Sequence, residues 1–276
     1  MDTPRYAVNC SIMMKDRPLE GRLSAVREAG FEAVELWWPF PTATPADAEV
    51  EAFVDTVRDS GLRLVGLNLY AGDMPAGDRG IISWPGREDE VRANVRIVRR
   101  IAEALDCRAF NALYGNRLPG ATAAEQDDLA VRNLGHVAAE LGAIGGTVLV
   151  EPVSGTEAYP LKTADDAVAV IDRVERGTGA ENLGLLLDVY HLAANGDDVA
   201  AAIDRHRSRV RHVQAADAPG RGAPGTGELP LGAWITDLVG GGHDGWIALE
   251  HTGEGADPFA WTRGSTLPGL PGGANP

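Results

Sequence analysis

Four short apolar runs in the second half of the chain each end in a side chain that offers oxygen. They read Val148-Leu149-Val150-Glu151, Leu185-Leu186-Leu187-Asp188, Val210-Arg211-His212-Val213-Gln214 and Ile247-Ala248-Leu249-Glu250. Successive ends lie 37, 26 and 36 positions apart, about the length of one strand–helix unit in a parallel barrel. A carboxylate at the end of an apolar strand suits the active-site rim of such a barrel better than its core. Three carboxylates and one amide meeting there would repel one another without a cation. Together Glu151, Asp188, Gln214 and Glu250 would make a hard, oxygen-only site for one divalent metal ion, magnesium or manganese rather than zinc.

Other polar residues cluster around these ends. His191 stands three positions after Asp188, just beyond the strand, and suits a hydrogen bond to a substrate oxygen. His212, two before Gln214, reads as a core or supporting histidine. Arg221 lies in the Gly- and Pro-rich stretch 217–228, where backbone can approach a ligand. An arginine there could grip a carboxylate with two hydrogen bonds, although a surface arginine in a structural turn fits the composition equally well. Asn68 and Glu35 end earlier strands, with Glu35 a candidate supporting group. Trp37, Trp38 and Phe40 suit a pocket wall or a buried interface. Asn111, His136, His206, His243 and His251 read as structural, with His251 facing away from Glu250.

The elements that must position these residues alternate. Short apolar strands at 6–10, 33–36, 62–69 and 109–113 precede the four runs above, and amphipathic helices separate them all. The helix over 87–105 places Val91, Val95, Val98, Ala102 and Leu105 on one face. The helix from Ala123 is preceded by Thr122, with Glu125 three residues later, a capping-box spacing. Eight strands alternating with helices predict an α/β fold, a closed (β/α)8 TIM barrel in a single domain over 1–263. The Gly- and Pro-rich stretch 264–276 reads as a flexible tail. Long loops follow the third strand (70–86) and the seventh (217–230), where barrels carry chemistry. No Gly-rich dinucleotide turn follows the first strand.

The 276 residues are ample for one barrel, and the formal net charge is −15. That charge argues against nucleic acid and anionic membranes as partners. Two cysteines, Cys10 and Cys107, form no disulfide framework and suggest a reducing compartment. With no secretory-type start and no long apolar run, a cytoplasmic location is expected. The sequence has no Gly-x-Ser-x-Gly elbow, no Cys-x-x-Cys pair and no phosphate loop.

Several stretches together carry a family resemblance: Asn68-Leu69-Tyr70-Ala71-Gly72-Asp73 with Gly77-Asp78-Arg79-Gly80, Glu151-Pro152-Val153, Asp188-Val189-Tyr190-His191, and 212–221 continuing into Pro224-Gly225-Thr226-Gly227-Glu228. Over residues 5–262 the chain resembles the hydroxypyruvate isomerase family within the xylose isomerase-like barrels. The resemblance implies that Glu151, Asp188, Gln214 and Glu250 bind the metal and that Glu151 and Glu250 also move protons. His191 and Arg221 would then hold a small hydroxy-carbonyl substrate, with Asn68 and Glu157 the further substrate-binding candidates. Three positions depart from the family pattern and touch the pocket wall: Ser154, Asn111 and His251-Thr252. The expected reaction is isomerisation through an enediolate, of hydroxypyruvate to tartronate semialdehyde. The alternatives are a keto-sugar 3-epimerase or sugar-acid isomerase on the same barrel, a zinc nuclease of the endonuclease IV type, and a catalytically silent sugar-binding protein. A homo-oligomer is compatible with the sequence.

Overall fold

The computed structural model describes residues 3–253 and 257–271. Eight parallel strands close into a barrel in sequence order: β1 (Arg5–Asn9), β2 (Ala33–Leu36), β3 (Arg63–Asn68), β4 (Ala109–Asn111), β5 (Thr147–Val150), β6 (Leu183–Asp188), β7 (Val210–Ala215) and β8 (Trp246–Leu249). Helices α1 (Leu19–Glu28), α2 (Asp47–Asp59), α3 (Glu88–Leu105), α4 (Ala123–Gly142) and α5 (Ala164–Thr178) cover the outside. They are joined by α6 (Val189–Asn195), α7 (Val199–His206) and α8 (Leu231–Gly240). The whole forms the single-domain TIM barrel that the alternation predicts. No described helix is long and apolar enough to cross a membrane.

The main core lies between barrel and helices. On α3, Val91, Val95, Val98 and Ala102 are buried on one stripe, as the 3.6-residue spacing requires. Thr122 starts α4 with a reciprocal cap: its hydroxyl accepts from Glu125 N, and the Glu125 carboxylate accepts from Thr122 N.

The barrel interior follows a different rule. Its middle is lined by small residues, with Ala7, Ala33, Val65 and Ala248 forming a separate cluster beneath which Trp246 packs. Arg5 and Arg63 lie against the Trp246 ring, 5.0 and 5.8 Å from its centroid, at the opposite mouth from the site. The small lining leaves room for long polar side chains to cross the barrel. Gly66 makes this explicit: a Cβ there would lie 2.7 Å from Glu35 Oε2.

Strand register brings the polar strand ends together in pairs. Asn9 is level with Glu35, Asn68 with Asn111, and Asp188 with Gln214. One expectation is corrected. The segment from Gly264 is docked through Pro271 rather than free, because Leu267 and Leu270 are buried and Tyr6 Oη donates to the Pro268 carbonyl at 2.9 Å. Its two leucines had apolar surface to bury, which the Gly and Pro content masks. The rest of that stretch, 272–276, lies outside the described residues.

Because Glu35 is held by three hydrogen-bond donors, it cannot swing away from a new methyl group. Gly66→Ala is therefore expected to destabilise the fold by about 1–3 kcal/mol, read as a lower urea midpoint. An unchanged midpoint would show that the interior is looser than described.

Candidate active site

Glu151, Asp188, Gln214 and Glu250 all lie at the C-terminal mouth of the barrel, and all four are at most 5% exposed. The backbone at Glu151 is pinned by Tyr159, whose buried hydroxyl donates to the Glu151 carbonyl at 2.9 Å and accepts from Tyr114 N at 3.1 Å. On its side chain, Oε2 accepts from Asn111 Nδ2 at 2.6 Å. Asp188 divides its carboxylate: Oδ1 accepts from Tyr190 N and His191 N and so caps α6, while Oδ2 faces the pocket. His191 is thereby placed in the first turn of a short helix rather than in a loop.

Beneath these groups sits a network centred on Glu35. Its Oε1 accepts from Asn9 Nδ2 at 2.7 Å and from Gln214 Nε2 at 2.5 Å, and its Oε2 meets His212 Nε2 at 2.5 Å. Burial pushes the Glu35 carboxyl up. The charge and hydrogen bond of His212, with the bonds from Gln214 and Asn9, outweigh burial and hold it below the usual carboxylate range. A carboxylate can only accept, so Gln214 must turn its NH2 toward Glu35. Its Oε1 then faces away, buried and without a hydrogen-bond partner. An orphaned buried carbonyl oxygen beside three carboxyl groups is what a hard cation requires.

Glu250 is held from two sides. Oε1 accepts from Trp37 Nε1 at 2.7 Å and Asn9 Nδ2 at 3.1 Å, and Oε2 pairs with Arg221 Nη2 at 2.7 Å. Burial raises the Glu250 carboxyl to about 8; Arg221 opposes the rise, while Asp188 and Glu35 add to it. Glu151 is pushed well above the usual range, first by burial and then by Glu250 and Asp188. Both acids thus hold their protons to higher pH than an ordinary carboxyl, and a divalent ion would compete with those protons.

Arg221 comes from the loop after β7. Asp217, fully buried, staples that loop: its Oδ1 accepts from Ala218 N and Leu229 N, and its Oδ2 from Gly225 N. Arg221 itself adopts a positive φ of 56°. Its Nη2 also reaches Asp188 Oδ2 at 3.3 Å, and its guanidinium lies 5.3 Å from the Tyr190 ring centroid.

His191 Nε2 lies 3.9 Å from Glu151 Oε1 and 3.6 Å from Asp188 Oδ2, so distance alone would admit it as a metal ligand. Its other nitrogen argues otherwise. Ser154 N donates to His191 Nδ1 at 3.1 Å, and burial lowers the ring to about 4. A neutral ring that accepts at Nδ1 carries its proton on Nε2, which makes His191 a donor into the pocket.

Glu151, His191, Arg221 and Glu250 line a cavity of ≈110 Å³, with Trp37, Asn68, Met74, Arg79, Leu113, Val153 and Ser154 completing its wall. A larger opening of ≈690 Å³ lies at the other mouth, around Arg63, Arg108, Arg211 and Trp246. Among the described residues it holds no set of metal-ligating side chains, whereas Glu151 and His191 of the Glu151–Asp188–His191 group line the smaller cavity.

The structure gathers most of the candidates and rejects one. Glu157 is exposed and does not line the cavity, because the turn after Ser154 carries it outward. Asn111 is not merely structural, since it holds Glu151. Trp37 walls the pocket, whereas Trp38 and Phe40 pack edge-on toward Phe53. Asn9, Ser154 as the partner of His191, and Arg79 carried no site role in the sequence reading. Only the alternation on β1, which aims Asn9 inward with Ala7, could have pointed to the first of them.

The xylose isomerase-like TIM barrel family model matches residues 23–266. A Streptomyces coelicolor protein carrying a hydroxypyruvate isomerase assignment is 46% identical, over 93% of this chain and 95% of its own. The 2-oxo-tetronate isomerase of Cupriavidus necator is 32% identical over 90% and 92%, and the Escherichia coli hydroxypyruvate isomerase 28% over 90% and 93%. Among solved structures, a Brucella melitensis protein described as an AP endonuclease of family 2 superposes with a TM-score of 0.83 at 32% identity, covering 94% of this chain and 97% of that one. An L-ribulose 3-epimerase shares the fold, with a TM-score of 0.70 at 23% identity over 91% and 82%. The chain belongs to the xylose isomerase-like TIM barrel family, among the isomerases of its hydroxypyruvate isomerase group.

Proposed function

We propose that this isomerase is metal-dependent and acts on a short α-hydroxy carbonyl acid, with the interconversion of hydroxypyruvate and tartronate semialdehyde as its reaction. The observation that carries the reading is the buried, unpartnered Gln214 Oε1, on a strand end level with Asp188 at the mouth that also carries Glu151 and Glu250. Those four residues would hold one magnesium or manganese ion. When bound, the ion would polarise the substrate's carbonyl and hydroxyl oxygens.

The protein's own groups supply the proton movements. One of Glu151 and Glu250 takes the proton from carbon 3 of hydroxypyruvate, and the other side of the site returns a proton to carbon 2. The hydroxyl proton moves from the oxygen on carbon 3 to that on carbon 2, and His191 Nε2–H offers a hydrogen bond to these oxygens. Arg221 keeps the Glu250 carboxylate oriented. The cavity is smaller than the ~150 Å³ that accepts a six-membered ring, which favours three- or four-carbon substrates over hexoses. The named relatives are isomerases of hydroxypyruvate and 2-oxo-tetronate, which are of that size. A nuclease role, which the Brucella neighbour's description raises, is disfavoured by the narrow cavity and the charge of −15.

Turnover of hydroxypyruvate in D2O tests the reaction directly. Solvent deuterium is expected on carbon 2 of the aldehyde product. Label found only on carbon 3 of recovered hydroxypyruvate would mean that the site enolises this compound without isomerising it, and no exchange in metal-loaded protein would mean a silent binding protein. Glu250→Gln is expected to keep the circular dichroism spectrum and lower kcat by ~10²–10⁴-fold; near-normal turnover would remove Glu250 from the mechanism.

Metal binding should also depend on pH in a defined direction. Glu250 is raised to about 8 and Glu151 lies above its usual range. Without metal, Glu250 therefore keeps its proton through the neutral range and Glu151 releases its own at higher pH than an ordinary carboxyl, and a cation competes with those protons. Manganese affinity is expected to rise from pH 6 to pH 8. Calorimetry at pH 7 in buffers of different ionisation enthalpy should show proton release on binding. Affinity independent of pH would contradict the assignment of these two ligands.

A further inference from the structure

Two arginines reach the cavity, and they differ in what they already hold. Arg221 is committed: its Nη2 pairs with Glu250 and Asp188, and its Nε donates to the Glu250 carbonyl at 3.1 Å. Its charge is answered by two acids of the site itself. Arg79 is not committed in this way. Its Nη1 donates to the carbonyls of Met74 and Asp78 at 3.2 and 2.7 Å, and among the described residues it forms no ion pair with a carboxylate. Carbonyl oxygens orient a guanidinium without neutralising it, and Nε and Nη2 stay available.

The backbone that presents Arg79 is built for a fixed position. Gly115 N donates to the Arg79 carbonyl at 2.9 Å, and Gly80 N to the Ala71 carbonyl at 2.8 Å. Asp78 Oδ2 accepts from Asp73 N at 2.7 Å and closes the turn before it. Gly80 has a φ of 100°, and a Cβ there would lie 1.9 Å from the Leu113 carbonyl oxygen. Only glycine lets the loop approach β4 so closely. A half-buried arginine, unpaired and aimed into a small cavity from an anchored loop, is the fork geometry that reads a carboxylate.

We propose that Arg79, not Arg221, recognises the substrate's carboxylate and so makes this a site for short 2-oxo acids rather than neutral ketoses. This deepens the isomerase reading and rests on it for the identity of the reacting carbons. The division of labour leaves Arg221 with the reacting end, beside Glu250, and gives Arg79 the spectator end.

Binding separates this claim from catalysis. Glycerate and glycerol are unreactive three-carbon probes that differ in the carboxylate. Calorimetric titration of both into manganese-loaded wild type and Arg79→Met is the test, with manganese affinity of each protein as the control for folding. Wild type is expected to prefer glycerate, and Arg79→Met to bind it about 10- to 100-fold more weakly, the worth of a charge-assisted hydrogen bond, with manganese affinity unchanged. Arg79→Lys should recover part of the preference, since it restores charge without the fork. Equal glycerate affinity in wild type and Arg79→Met, or a wild type that does not prefer glycerate to glycerol, would overturn the proposal. A wild type that shows the expected preference but no turnover of any hydroxy acid would support Arg79 as the carboxylate reader and overturn the isomerase reading alone.

Discussion

The mutual repulsion of three carboxyl groups buried at one end of the barrel is the constraint on which the rest of the site depends. Nothing in an apolar strand end tolerates Glu151, Asp188 and Glu250 together unless their charge is answered. The protein answers it in layers. Asp188 is partly neutralised by the N-terminal amides of α6, Glu250 by Arg221 and Trp37, and Glu151 by Asn111. A cation would answer the remaining charge, and in the set proposed above Gln214 would offer it the neutral oxygen.

That orientation of Gln214 is set from below. Glu35 crosses a barrel interior kept small by Ala7, Ala33, Gly66 and Ala248, and its acceptor-only carboxylate fixes which end of the amide points up. His212 and Asn9 hold Glu35 in turn. Core packing and site chemistry are thus one design: small residues in the middle layer exist where a polar relay must pass. The same logic governs His191, whose tautomer is fixed by a backbone amide from Ser154, so that a ring within reach of the carboxylates acts as a donor.

Much of this was legible in the chain itself. The four strand ends could be read because apolar runs of regular spacing expose a polar terminus, and the barrel followed from the same alternation. The partners were not legible. Asn9, Asn111 and Ser154 are neutral residues with no motif, and Asn9 meets Glu250 across 241 positions of sequence. Arg79 lies inside the Gly77-Asp78-Arg79-Gly80 motif, yet nothing in its sequence neighbours says that it lacks a counter-charge. Glu157 shows the opposite failure, since a carboxylate near the catalytic strand in sequence is turned outward by one loop. Leu267 and Leu270 were hidden by the glycines and prolines around them.

The central claim is that the buried acids and the Gln214 amide oxygen form one oxygen-only cation site. A manganese-soaked crystal measured at the manganese absorption edge tests it most directly. The account predicts a single anomalous peak about 2.0–2.3 Å from oxygens of Glu151, Asp188, Gln214 and Glu250, with His191 Nε2 outside the coordination sphere. A peak coordinated by His191 in place of Gln214, or no peak among these residues at saturating manganese, would contradict it.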